Sequence, residues 1–178
     1  MNILCVSGSP RKGNTEFLVE RLVDALKNNG NVEAVYLSET KLEYCDGCLE
    51  CDETGCCHIN DNMNDILGIV KSSDIIVFAT PARWALLSAP LKNFIDRLNP
   101  LAGSGLLNGK KAIIIGLGQT EGEDAVGIKK AVDSVQYFVD DAGMETIGTC
   151  IIEGVLNPND LFESNKVNVI INKVIALL

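Results

Sequence analysis

Two short runs, Ile75-Ile-Val-Phe-Ala-Thr80 and Ala112-Ile-Ile-Ile-Gly-Leu117, constrain this chain more than any other feature. Neither alternates apolar with polar residues, so each must be buried on both faces. Strands of that kind belong to a parallel sheet covered by helices on each side. Both runs are far too short to cross a bilayer. The rest of the chain has a matching rhythm. Strands are expected at residues 3–6, 32–37, 74–80, 110–117 and 146–153. Between them apolar residues recur at helical spacing: Leu18, Leu22, Ala25 and Leu26; Met63, Ile66, Leu67 and Val70; Leu91, Phe94, Ile95 and Leu98; Ile128, Ala131, Val132, Val135, Phe138 and Val139. Ser88 suits the cap of the third of these helices and Pro90 its first turn. A last helix is expected to begin near Asn159 and to end in Ile170, Ile171, Val174, Ile175 and Leu178. Residues 38–60 and 100–109 read as irregular.

Ligands of such sheets bind at the C-terminal ends of the strands, near the point where strand order reverses. Three loops lie there, at residues 7–15, 80–88 and 116–123. The first reads Ser7-Gly-Ser-Pro-Arg-Lys-Gly-Asn-Thr15, between a buried strand and an amphipathic helix. That helix turns its unpaired N–H groups and the positive end of its dipole toward the loop, which makes an anion site. A triphosphate loop needs Gly-x4-Gly-Lys-Ser/Thr; Gly8, Gly13 and Thr15 fit, but Asn14 stands where the lysine must be. The dinucleotide pattern Gly-x-Gly-x-x-Gly is broken by Ser9 and Pro10. A monophosphate cradle remains, with Ser7, Ser9, Asn14 and Thr15 as hydrogen-bonding groups and Arg11 as a forked cation. The plain alternative is a strand-to-helix turn with ordinary caps.

The net charge of −9 leaves no basic footprint for nucleic acid and disfavours anionic membrane surfaces. No basic stretch precedes the first strand, so a cytoplasmic protein of one domain, residues 1–178, is expected. Seven cysteines in such a protein point to metal or redox chemistry rather than to paired disulfides. Five of them, Cys45, Cys48, Cys51, Cys56 and Cys57, fall within thirteen residues, in an insertion at about 40–60. Three thiolates at intervals of three can converge on one face of a cluster, and Gly47 permits the turn. A fourth ligand comes from Cys56 or Cys57. Zinc and a redox disulfide stay open, since Cys-x-x-Cys occurs twice in overlap. Cys5 and Cys150 lie on apolar strands as core residues. His58, the only histidine, reads first as a loop residue.

The loop 7–15 resembles the flavin-binding loop of the NAD(P)H-dependent FMN reductases of flavodoxin-like fold. Asp74-Ile-Ile-Val-Phe-Ala-Thr-Pro-Ala-Arg-Trp84, followed by Ser88-Ala-Pro-Leu-Lys-Asn-Phe-Ile-Asp-Arg97, is similar to that family's third strand, flavin loop and following helix. The resemblance implies an α/β flavodoxin-like doubly wound sheet of five parallel strands in the order 2-1-3-4-5. It implies bound FMN, with the phosphate on Ser9, Arg11, Asn14 and Thr15 and with Ser7 and Pro10 as further cofactor-binding residues of the same loop. Pro81, Ala82, Arg83 and Trp84 would run along the ribityl chain and the ring. Gly118, Gln119, Thr120, Glu121 and Gly122 would approach from the other side. A packing wedge or subunit contact is the competing role for Trp84, and a surface ion pair for Arg83.

Within that family the cysteine insertion looks like that of the iron–sulfur flavoproteins, whose compact run of four cysteines binds a [4Fe–4S] cluster. Cys57-His-Ile-Asn-Asp-Asn-Met63 is similar to their Cys-x-Ile-x-Asp-Asp-Met, with Asn62 departing from the second aspartate. This favours Cys45, Cys48, Cys51 and Cys57 as ligands. A flavin carries its own redox chemistry, so no catalytic side chain is required. The expected protein passes electrons from a reduced donor, NAD(P)H or ferredoxin, to a small-molecule or protein acceptor. A flavodoxin-like carrier and a redox-sensing flavin module without a cluster are the alternatives. The resemblance also implies a homodimer or homotetramer.

Overall fold

The structure, a computed structural model, describes residues 1–178. Five strands form one sheet: β1 (Asn2–Ser7), β2 (Asn31–Tyr36), β3 (Ile75–Pro81), β4 (Lys111–Leu117) and β5 (Glu145–Ile152). Every pairing is parallel and the order is β2-β1-β3-β4-β5, as expected. The helices are α1 (Asn14–Leu26), α2 (Glu50–Thr54), α3 (Met63–Ser72), α4 (Ala89–Asp96), α5 (Asn99–Ala102), α6 (Val126–Asp141) and α7 (Asn165–Ile175).

Successive strand residues point to opposite faces, and the core divides accordingly. On one face Leu4, Val6, Ile76, Phe78 and Ile114 pack against α3, α4 and α6. On the other Ile3, Cys5, Val77, Ala79 and Ile115 pack against α1 and α7. Cys5 and Cys150 are buried in this second core, where burial pushes the Cys5 thiol up to about 12. The chain leaves β1 for α1 on one face and β3 for α4 on the other. β1 and β3 are neighbours, so a crevice opens between their C-terminal ends, at the reversal of strand order.

Local signals set most boundaries. The Ser88 hydroxyl accepts from the Leu91 N–H and caps α4, with a proline in the first turn. The last helix starts later than its apolar pattern suggests. The Asp160 carboxylate accepts the N–H groups of Leu156 and Asn157, which folds that stretch into turns, and Ser164 then caps α7. The cysteine insertion is not wholly irregular: α2 forms one short turn between left-handed residues Leu49 and Gly55.

Candidate functional site

The crevice at the reversal point is a cavity of about 420 Å3. Its floor is the start of α1. Gly13 occupies the cap position and has no side chain to offer, so α1 begins uncapped. The first backbone bond of the helix runs from Phe17 N–H to the Gly13 carbonyl, at 2.9 Å, which leaves the amides of Asn14, Thr15 and Glu16 without acceptors. Arg11 lines the same cavity and forms no ion pair. Its neighbour Lys12 turns away to Glu39. The Ser9 hydroxyl donates to the Arg11 carbonyl at 2.7 Å and accepts its N–H at 3.3 Å, fixing the loop. Free amides and an unpaired guanidinium on one wall constitute an anion site.

The Asn14 side chain is committed elsewhere. Its amide nitrogen donates to the Asn157 carbonyl at 2.6 Å and its oxygen accepts from Leu161 N–H at 3.0 Å. What Asn14 offers an anion is its backbone N–H. Ser7 and Pro10 do not line the cavity. Ser7 is buried at the end of β1 with its hydroxyl unpartnered.

The second wall is the loop after β3. The Ser88 hydroxyl donates to the Gly8 carbonyl, and Ser88 N–H donates to the Thr80 hydroxyl at 3.0 Å, so the two loops are fastened together. Gly8 has no room for a side chain: a Cβ there would stand 2.9 Å from both the Ala79 carbonyl and Leu91 Cβ. Pro81, Ala82, Arg83 and Trp84 all line the cavity. Arg83 and Leu86 exchange both backbone bonds at 2.9 Å around Trp84 and Ala85. Those two residues have φ of 49° and 63°, in the region that favours glycine. Holding them there costs roughly 1–3 kcal/mol each, which is typical of binding loops. The turn leaves the Trp84 side chain fully exposed. Arg83 has no acidic partner.

The third wall follows β4. Gly118, Gln119 and Thr120 line the cavity, and a Cβ at Gly118 would stand 2.6 Å from the Ile128 side chain. Glu121 and Gly122 do not line it. Glu121 lies 3.8 Å from Lys166, and Gly122 N–H donates to the Glu153 carboxylate at 2.9 Å, so both face the segment after β5. Sequence reasoning missed a fourth wall, Val155, Leu156 and Pro158. Their place after the fifth strand, at the same end of the sheet, was the available signal.

A second cavity of about 410 Å3 lies on the α4–α6 side. Cys45, Cys48, Cys51 and Cys57 all line it; Cys56 does not. No disulfide joins any of the seven cysteines. The neck of the insertion is held by α4 and the residues after it. Asn93 accepts from Cys45 N–H and donates to the carbonyls of Leu42 and Glu43. Arg97 is fully buried; it donates to the Glu43 carbonyl at 2.7 Å and, as a fork, to Asp61 at 2.9 and 2.8 Å. Burial works against the Asp61 charge, but the bonds from Arg97 and from the Met63 and Glu43 amides hold its carboxyl below the usual range. Asn64 closes the far end through paired bonds with the Cys57 backbone. Arg97 was spelled out in the sequence motif without a role; its i, i+4 spacing from Asn93, beside an apolar stripe, was the signal.

At the exposed rim His58 Nε2 lies 3.0 Å from Asp46, whose carboxylate also accepts from Cys48 N–H. These three side chains lie within 4.8 Å of one another. Asn99 donates to Cys51 Sγ at 3.2 Å. Four thiols on one cavity, with the Asn99 N–H on one sulfur and one buried guanidinium nitrogen without a partner, suit a thiolate-bound metal cluster. The two cavities sit at opposite ends of α6: Gly127 and Ile128 line the first, Phe138, Asp141 and Ala142 the second. Helical rise separates Ile128 from Phe138 by about 15 Å.

Comparison with known proteins agrees with this geometry. The family model described as NADPH-dependent FMN reductase matches residues 1–144. An iron–sulfur flavoprotein of Archaeoglobus fulgidus is 31% identical over 170 residues, covering 93% of this chain and 76% of that protein. An iron–sulfur flavoprotein of Clostridioides difficile is 32% identical over 183 residues, covering 98% of this chain and 76% of that protein. Among solved structures, a flavone reductase superposes with a TM-score of 0.73 at 18% identity, over 97% of this chain and 60% of that one; this likeness concerns the fold.

Proposed function

This chain belongs to the NADPH-dependent FMN reductase family and, within it, to the iron–sulfur flavoprotein branch, and from that membership we propose that it is an FMN-dependent oxidoreductase that moves electrons between a reduced donor and an acceptor. The observation that carries the reading is the uncapped start of α1, which faces a cofactor-sized cavity beside unpaired Arg11. The Asn14, Thr15 and Glu16 amides, with Arg11, would hold the FMN phosphate. Ser9 keeps that loop in shape. Pro81 to Trp84 and Gly118 to Thr120 would flank the rest of the flavin, and Gly118 lets the backbone come close. Cys45, Cys48, Cys51 and Cys57 would hold a [4Fe–4S] cluster. When bound, FMN supplies hydride acceptance and one- or two-electron release, and the cluster supplies one-electron capacity.

The donor in this reading is NAD(P)H or ferredoxin, and the acceptor a small molecule or a protein. The separation of the two cavities along α6 favours a homodimer or homotetramer, in which the cysteine cavity of one copy faces the flavin of another. Seven cysteines with no disulfide among them support a cytoplasmic setting. The net charge of −9 favours a second reading, an electron carrier steered to protein partners.

Anaerobic purification followed by an absorption spectrum, FMN titration and iron and sulfide analysis tests the cofactors. Protein that takes up neither flavin nor iron would refute the reading. Stopped-flow mixing with NADH and NADPH then separates the two functions: a reductase is bleached rapidly by one of them, a carrier by neither.

A further inference from the structure

Arg97 uses its two terminal nitrogens on Asp61 and the Glu43 carbonyl. Its third, Nε, is buried and has no partner, and it is the only buried side-chain nitrogen in that position. A buried N–H without an acceptor is costly, so the site implies a stronger acceptor than the neutral thiols lining it. Arg97 lines the cysteine cavity, with the Cys57 sulfur beside its guanidinium. Two residues on, Asn99 donates its Nδ2–H to Cys51 Sγ at 3.2 Å and also to Asp52 at 2.7 Å. One segment therefore places a formed N–H···S bond on Cys51 and an unpartnered N–H in the cavity that Cys57 lines. A thiol accepts such bonds weakly; a metal-bound thiolate accepts them strongly.

We propose that Arg97 and Asn99 are positioning residues that set the reduction potential of the iron–sulfur cluster, through N–H···S bonds to Cys57 and Cys51. The proposal rests on the reading above, that these cysteines hold a cluster. Reduction adds negative charge, and donors on the sulfurs stabilise the reduced form more, so they raise the potential.

The test is an EPR-monitored redox titration of anaerobically prepared holoprotein, comparing wild type with Asn99→Ala, Arg97→Lys and Asp52→Ala. Asn99→Ala and Arg97→Lys are each expected to keep iron and sulfide while the reduction equilibrium constant falls about three- to tenfold. Tenfold corresponds to about 59 mV for a one-electron couple. Arg97→Lys keeps the positive charge, so its shift reports the directed N–H. Asp52→Ala removes the other acceptor of Asn99 and leaves its bond to sulfur, so the potential is expected to stay at or above that of wild type. Asn99→Ala leaves the neck at Arg97 and Asp61 untouched, and decides the matter if Arg97→Lys does not assemble a cluster. A wild-type potential in Asn99→Ala overturns the proposal, as does iron loss with an unchanged potential in the cluster that remains. Wild-type protein lacking iron and sulfide would instead sink the cluster reading, and the proposal with it.

Discussion

Replacing Asp61 by alanine should destabilise the protein far more than its place in a loop suggests. Asp61 accepts four bonds: two from Arg97 at 2.8 and 2.9 Å, and one each from the Glu43 and Met63 amides at 2.9 Å. Its side chain is 9% exposed and that of Arg97 is not exposed at all. In Asp61→Ala the guanidinium keeps only the Glu43 carbonyl and remains a buried, unpaired charge. Breaking a buried pair from one side costs about 3–5 kcal/mol. With a urea m-value of about 2–3 kcal/mol/M, the unfolding midpoint should fall by about 1–2 M. The double variant Asp61→Ala/Arg97→Met carries no stranded charge and should recover most of the loss. Acid supplies an independent check. The Asp61 carboxyl is held below its ordinary value, so its contribution is complete above about pH 4 and lost as pH falls through the folded pKa. The gap between wild type and Asp61→Ala should be flat from neutral pH to about pH 5 and close below about pH 4. Far-UV circular dichroism of urea unfolding measures all of this. A neutral-pH gap under about 1 kcal/mol, or a double variant no more stable than the single one, would refute the reasoning.

Three further outcomes are expected. Arg11→Ala should weaken FMN binding by about ten- to a hundredfold, the worth of one charge-assisted bond, and leave riboflavin binding unchanged, as read by flavin fluorescence titration. Cys57→Ser should lower iron and sulfide content sharply while Cys56→Ser leaves it intact, because only Cys57 lines the cavity. Gly8→Ala should cost about 1–3 kcal/mol in thermal unfolding and loosen FMN, since the new methyl must displace the Ala79 carbonyl or Leu91.

The sheet was legible because its strands are apolar without alternation, and Ser88 and Pro90 announced α4 by local chemistry. Each of these signals lies within a few residues of what it specifies. The parts that escaped depend on distant partners or on strain. Asn14 looks like a phosphate ligand, yet its amide is taken by Asn157 and Leu161, far along the chain. Trp84 and Ala85 occupy left-handed conformations that nothing but their surroundings enforces. Arg97 has no role in its motif until Asp61, 36 residues upstream, is placed against it. Glu121 and Gly122 share a loop with Gly118, but the chain has turned toward β5 by then.

The bond from Asn14 to Asn157 spans 143 residues, and Val155, Leu156 and Pro158 complete the cavity that Ser9 and Arg11 begin. Translation proceeds at about 5–20 residues per second, so the loop waits roughly 7–30 seconds for its last wall. A growing chain therefore has no finished cradle to offer. On the proposed reading, flavin capture would be a late event: a product cut short before Asn157 contains the residues of all five strands yet lacks part of the cavity's last wall.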